Sequence, residues 1–152
     1  MVSCCSVEKL PEEKKDGLKV IALAGNPNVG KTTIFNALTG LRQHVGNWPG
    51  VTVEKKEGIM KYHEKEFLVV DLPGTYSLTA NSIDELIARN FILSGNANVV
   101  VDIVDASCLM RNLFLTMEIF EMGVKKVVIA LNKIDIARKR GIRFDVKKME
   151  KT

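Results

Sequence analysis

A doubly wound α/β sheet, mostly parallel with one antiparallel strand, is the fold class this sequence predicts, on three observations. Apolar runs of strand length alternate with segments of helical periodicity along 152 residues, of which 46% are hydrophobic. That length and core content fit one globular domain. A turn framed by glycines, GNPNVGKT at residues 25–32, joins the first apolar run to the first helix. Two neighbouring strand-like runs are separated only by His63-Glu64-Lys65, short enough for an antiparallel hairpin.

Taken in order, residues 1–17 are polar, carry Glu12-Glu13-Lys14-Lys15-Asp16-Gly17 and show no apolar period. They read as a flexible or partly helical lead-in to a domain over 18–152. Leu18 to Ala24 is apolar enough to be a strand covered on both faces. A helix follows from Lys31 to Leu38, with Ile34, Phe35 and Leu38 along one stripe and Gly40 as its stop. Leu41 to Gly50, with its Gly-Asn-Trp-Pro-Gly core, reads as an exposed, mobile loop. Val51 to Tyr62 and Glu66 to Asp71 are the hairpin strands. Ser82-Ile83-Asp84-Glu85 reads as a capping box that opens a helix through Ile92. Asn98 to Val104 is a strand, apolar apart from Asp102, and Leu109 to Met122 a helix ended by Gly123. Lys125 to Leu131 is the next strand, and Ile136 to Thr152 is charged and helix-prone, broken at Gly141, with Asp145 as an N-cap.

The chemistry concentrates at strand ends. Gly25, Asn26, Pro27, Asn28, Val29, Gly30, Lys31, Thr32 and Thr33 fit G-x-x-x-x-G-K-[ST]. In that pattern successive backbone N–H groups and a helix N-terminus converge on a polyphosphate. Lys31 is placed to meet β- and γ-phosphates, and the Thr32 hydroxyl to ligate Mg²⁺. About 40 residues on, Asp71-Leu72-Pro73-Gly74 fits D-x-x-G at a strand end. Its carboxylate suits water-mediated Mg²⁺ binding and its glycine N–H a γ-phosphate. Asn132-Lys133-Ile134-Asp135 suits a guanine reader: Asp135 accepts from N1–H and the exocyclic amine, which adenine cannot offer. Asn132 ties this loop to the phosphate loop, and the Lys133 stem covers the base. Thr52 reads either as a second Mg²⁺ ligand that couples the γ-phosphate to surface shape, or as a β-branched residue starting a strand.

These four stretches resemble the G1 to G4 motifs of a Ras-like GTPase of the translation-factor-related class. From Lys19 to Asp145, and above all in Val-Gly-Asn-Trp-Pro-Gly-Val-Thr-Val-Glu at 45–54, the chain is similar to the cytosolic G domain of the FeoB ferrous-iron transporters. The resemblance implies a GTP-hydrolysing switch at the cytoplasmic face of the cell membrane, with GTP or GDP, Mg²⁺ and K⁺ as its ligands. It also implies helical and transmembrane iron-transport domains elsewhere in the same protein. Asn28, at the position that in FeoB-like GTPases coordinates K⁺, is assigned to catalysis with Lys31 and Thr52; a turn-forming asparagine is the other reading. Thr75 stands where Ras carries its water-positioning glutamine, which implies slow hydrolysis. Many members carry methionine where Lys133 stands, so Lys133 implies a firmer hold on guanine nucleotide. No G5-like Ser-Ala stretch, sixth strand or final helix is found before Thr152, so the chain reads as truncated, with an incomplete base pocket and an uncovered sheet edge.

The totals narrow the classes further. No run reaches the roughly 18 apolar residues of a membrane helix, and the start lacks a signal-peptide pattern. Cys4, Cys5 and Cys108 form neither a disulfide framework nor a metal spacing and suit a reducing compartment. The net charge of +4 is dispersed apart from Arg138-Lys139-Arg140 and Lys147-Lys148, which reads as a solvated face rather than a nucleic-acid site. His44 and His63 read as solvated residues. Trp48 reads as a partner anchor or a nucleotide shield, and a homo-oligomer is left open. The rival readings are a ribosome- or RNA-associated GTPase and a nucleotide-sensing module without useful turnover.

Overall fold

Val20-Ile21-Ala22-Leu23-Ala24 puts apolar side chains on both sides of an extended segment, and that segment lies inside the sheet. The structure, a computed structural model, describes residues 17–40 and 43–145. The expected lead-in up to residue 16, the pair 41–42 and the stretch expected to be capped by Asp145 lie outside the described residues. Six strands form one sheet: β1 Lys19–Gly25, β2 Gln43–Asn47, β3 Glu54–Tyr62, β4 Lys65–Asp71, β5 Val99–Asp105 and β6 Val127–Asn132. Their order across the sheet is β2-β3-β4-β1-β5-β6. Only β3 runs against its neighbours, pairing antiparallel with both β2 and β4. The parallel register sets Leu23 between Asp71 and Val101, so the carboxyl ends of β4, β1 and β5 finish along one edge.

Helices α1 Lys31–Thr39, α2 Ile83–Leu93, α3 Leu109–Glu121 and α4 Ile134–Lys139 flank the sheet among the described residues, with a 3₁₀ turn at Ala106–Cys108. Side chains alternate across the strands and give each sheet face its own core. Leu23, Val69 and Ile103 pack with Phe35 of α1, while Ala22, Val70 and Val100 pack with Ala88 and Ile92 of α2 and Leu115 and Ile119 of α3. Phe35 is completely buried, worth about 1.5–3 kcal/mol in transfer free energy. The start of α2 carries a variant of the expected capping box. Ser82 Oγ accepts from the Glu85 N–H at 3.2 Å, but the Glu85 carboxylate reaches past Ser82 to the Asn81 N–H at 2.9 Å. Asp102 is a buried charge in β5; its Oδ2 accepts from Thr116 Oγ1 of α3 at 2.5 Å.

The expected exposed, mobile loop is corrected by the structure. Gln43 to Asn47 are paired residue by residue with Glu54 to Gly58, and this edge strand is the sixth strand of the sheet. Trp48 is buried, its ring edge-on to Phe91 and its backbone N–H donating to the Val53 carbonyl at 2.9 Å. Packing against α2 outweighs the local loop preference of Asn-Trp-Pro-Gly. The first hairpin strand begins at Glu54 rather than Val51, because residues 48–53 form the turn that this tryptophan anchors.

Candidate functional site

The glycine-framed loop leaves β1 and enters α1 with Gly30 as N-cap, at φ +91° and without a side-chain cap. Cap-free N–H groups at a helix start are ready donors for an anion. A cavity of about 430 Å³ opens there, lined by residues 26–28, 30–33 and Gly74. Glycines let this loop pack closely against its neighbours. A Cβ on Gly30 would sit 2.4 Å from Asn132 Nδ2, one on Gly25 2.7 Å from the Ile103 carbonyl, and one on Gly74 3.3 Å from Pro27 Cα. Val29 lies behind the cavity, buried in the core. The Asn26 side chain is buried, and neither of its amide atoms has a hydrogen-bond partner among the described residues.

Lys31, which lines the cavity, is ion-paired through Nζ with Asp71 Oδ1. The strand end that carries Asp71 is tied to the phosphate loop through the backbone. Leu72 N–H donates to the Leu23 carbonyl at 3.0 Å and Thr75 N–H to the Gly25 carbonyl at 3.3 Å. Pro73 continues this turn, and Thr75 is buried. Beyond it, Glu118 of α3 holds the loop by accepting from Ser77 Oγ at 3.1 Å and Leu78 N–H at 2.7 Å.

Two residues of the third motif reach the phosphate loop. Asn132 Nδ2, at the end of β6, donates to the Val29 carbonyl at 2.8 Å. Lys133, in a left-handed conformation at φ +55°, donates through Nζ to the Asn28 carbonyl at 2.6 Å and to Asp105 Oδ2 at 2.8 Å. Asp135 is exposed in the first turn of α4. Asn28 is itself left-handed at φ +64° and exposed, a conformation asparagine tolerates in turns. Thr32 and Thr33 face solvent at the start of α1. Thr52 is exposed in the turn beside Trp48 and does not line the cavity.

Asp105 and Glu118 are site residues that sequence reasoning missed. Asp105 carries the same signal as Asp71, a carboxylate closing an apolar strand. Burial pushes its carboxyl up, but hydrogen bonds from Lys133 and Ser107 outweigh this and hold it below the usual carboxylate range. Among the described residues no three or more His, Cys, Asp or Glu side chains cluster as a metal site. Thr32 and Asp71 offer hard oxygens that fit Mg²⁺ when phosphate and water complete the shell, and the Asn28 amide oxygen fits K⁺.

A sequence model described as ferrous iron transport protein B matches residues 19–152. The chain belongs to this family. The FeoB Fe(2+) transporter of Methanocaldococcus jannaschii is 66% identical over 103 residues, covering 68% of this chain and 15% of that protein. The crystal structure of the G domain of the T. maritima FeoB iron transporter superposes with a TM-score of 0.82 at 50% identity, covering 88% of this chain and 81% of that one. A GDP-bound mutant of the S. thermophilus FeoB G domain gives a TM-score of 0.81 at 47% identity over 86% of this chain and 50% of that one. The fold is thus that of the FeoB G domains, a Ras-like P-loop GTPase fold. The chain spans 15–17% of the length of the full-length FeoB relatives it matches. Among the described residues no helix is long and apolar enough to cross a membrane.

Proposed function

We propose that residues 18–152 are a GTP-binding, GTP-hydrolysing switch domain that regulates ferrous-iron transport. In this reading the domain works at the cytoplasmic face of the membrane, beside helical and membrane-spanning parts of the same protein. The observation that carries the reading is the cavity at the start of α1, lined by Gly30, Lys31 and Gly74, where a Cβ on either glycine would crowd its neighbours, with Asn132 bonded to the same loop at Val29. Family membership and the GDP-bound relative support it.

Each residue then has a task. The backbone N–H groups of the loop from Gly25 to Thr33, apart from Pro27, which has none, cradle the phosphates, and Lys31 places its charge on the β- and γ-phosphates. Asp135 accepts from the guanine edge and the Lys133 stem covers the base. Gly74 and Thr52 report the γ-phosphate, the latter by ordering the turn that Trp48 anchors. Thr32, Thr52 and Asp71 would hold Mg²⁺, and Asn28 would hold K⁺. When bound, these cations place positive charge where phosphoryl transfer develops negative charge. In the reaction, water adds to the γ-phosphorus, the bond to the β,γ-bridging oxygen breaks, and GDP, phosphate and a proton leave. With Thr75 buried, no side chain at that position orients the water, so intrinsic turnover is slow. That same burial favours the second reading, a nucleotide sensor without useful turnover.

Single-turnover GTP hydrolysis with Mg²⁺, in KCl and in NaCl at equal ionic strength, separates these readings. Faster turnover in K⁺ that is lost in Asn28→Ala supports the cation-assisted reaction. Equal rates remove the K⁺ assignment, and no turnover in either salt leaves the sensor.

A further inference from the structure

We infer that Asp105 is a positioning residue for this site: its carboxylate holds the Lys133 ammonium against the Asn28 carbonyl and so locks the base-reading loop to the phosphate loop. The inference rests on the reading of the cavity as a guanine-nucleotide site. Asp105 closes β5 directly opposite Asn132 of β6, and it is only 8% exposed. Its two oxygens are divided between two tasks. Oδ1 accepts from Ser107 N–H at 2.9 Å and Ser107 Oγ at 2.7 Å, while Oδ2 accepts from Lys133 Nζ at 2.8 Å. The backbone beneath is fixed as well, because the Asp105 N–H donates to Asn112 Oδ1 at 3.3 Å and Asn112 Nδ2 donates to the Cys108 carbonyl at 2.9 Å.

One ammonium therefore bridges two elements, since the same Nζ reaches Asn28 on the phosphate loop. Lysine has a flexible four-carbon stem, and ordering it on ligand binding costs rotamer entropy. A carboxylate that already holds the head group removes that cost before nucleotide arrives, which lowers the dissociation rate. It also sustains the left-handed Lys133 backbone, which needs support from its surroundings. A merely structural Asp105 would cap the 3₁₀ turn through Ser107 and nothing more. Asp105→Asn separates the two, because the amide oxygen keeps the Ser107 cap while the charge that holds Lys133 is lost.

The test is the release rate of a fluorescent GDP analogue from the 152-residue chain, from Asp105→Asn, from Lys133→Met and from the double variant. Each single change should speed release about ten-fold, the value of one charge-assisted hydrogen bond. The double variant should release no faster than Lys133→Met alone, since Asp105 acts only through Lys133. Wild-type release from Asp105→Asn, or an equal acceleration on the Lys133→Met background, overturns the inference. If Asp105→Asn does not fold, Ser107→Ala loosens the same carboxylate. It should speed release in the wild-type background and not in Lys133→Met, and any other pattern overturns the inference. A wild-type chain that fails to hold the analogue removes the nucleotide reading itself and this inference with it.

Discussion

Trp48 stands edge-on to Phe91, with ring centroids 5.5 Å apart and planes at 75°, while Lys55 Nζ lies 5.0 Å from the indole centroid. This contact binds the turn that carries Thr52 to helix α2. Its indole Nε1 has no hydrogen-bond partner among the described residues, so its hold is apolar and shape-dependent. Trp48→Ala should cost about 3 kcal/mol of unfolding free energy, and Trp48→Phe clearly less, as followed by urea denaturation with circular dichroism. Equal costs for the two variants would show that the indole nitrogen matters after all.

Asp102 gives the fold a pH dependence of definite sign. Burial raises its carboxyl from 3.8 to about 6, partly offset by the hydrogen bond from Thr116. A folded-state value above the unfolded one means that the stabilisation is fully present below about pH 4 and is lost as pH rises through about 6. A shift of about two units corresponds to an upper bound on the order of 3 kcal/mol. Asp102→Asn keeps an oxygen for Thr116 and removes the charge, so it should gain stability over the wild type at pH 7.5 and gain little at pH 4. Urea midpoints at the two pH values decide it, and a gain independent of pH contradicts the assignment.

Two glycines of the phosphate loop should respond differently to alanine. At Gly25 a Cβ meets backbone, the Ile103 carbonyl at 2.7 Å, in an immovable strand. Gly25→Ala should therefore lower stability by about 1–3 kcal/mol. At Gly30 the obstacle is the end of the Asn132 side chain, which can swing away at the expense of its bond to Val29. Because Gly30 also sits at φ +91°, Gly30→Ala should cost about 1–2 kcal/mol of backbone strain and in addition lose nucleotide binding, and paired melting and binding assays distinguish the two patterns. Intact binding in Gly30→Ala would argue that the Asn132 brace is dispensable.

What was legible in the sequence follows from how locally each feature is determined. The phosphate loop, Asp71 and Asn132 lie at strand ends where spacing alone fixes their neighbours, and the structure brings Lys31 to Asp71 and Asn132 to Val29. β2 was hidden because Gly46, Asn47, Pro49 and Gly50 favour turns locally, while the pairing of residues 43–47 with β3 and the burial of Trp48 are tertiary effects. Asp105 was hidden for another reason: a lone carboxylate after an apolar run does not reveal a lysine 28 residues further on. Glu118 likewise looks like an ordinary helix-surface acid until the loop at Ser77 and Leu78 folds onto it.

Nucleobase selection by Asp135 tests the central claim most directly. Binding of GDP, ADP and XDP is measured by calorimetry on the wild-type chain and on Asp135→Asn. The wild type should bind GDP and reject ADP. The variant should lose GDP affinity by a factor on the order of 10³, because the carboxylate that accepts two hydrogen bonds from the guanine edge is lost, and should gain XDP, whose base offers the complementary pattern. Equal affinity of the wild type for GDP and ADP, or GDP binding unchanged in Asp135→Asn, would contradict a guanine-nucleotide switch built on this site.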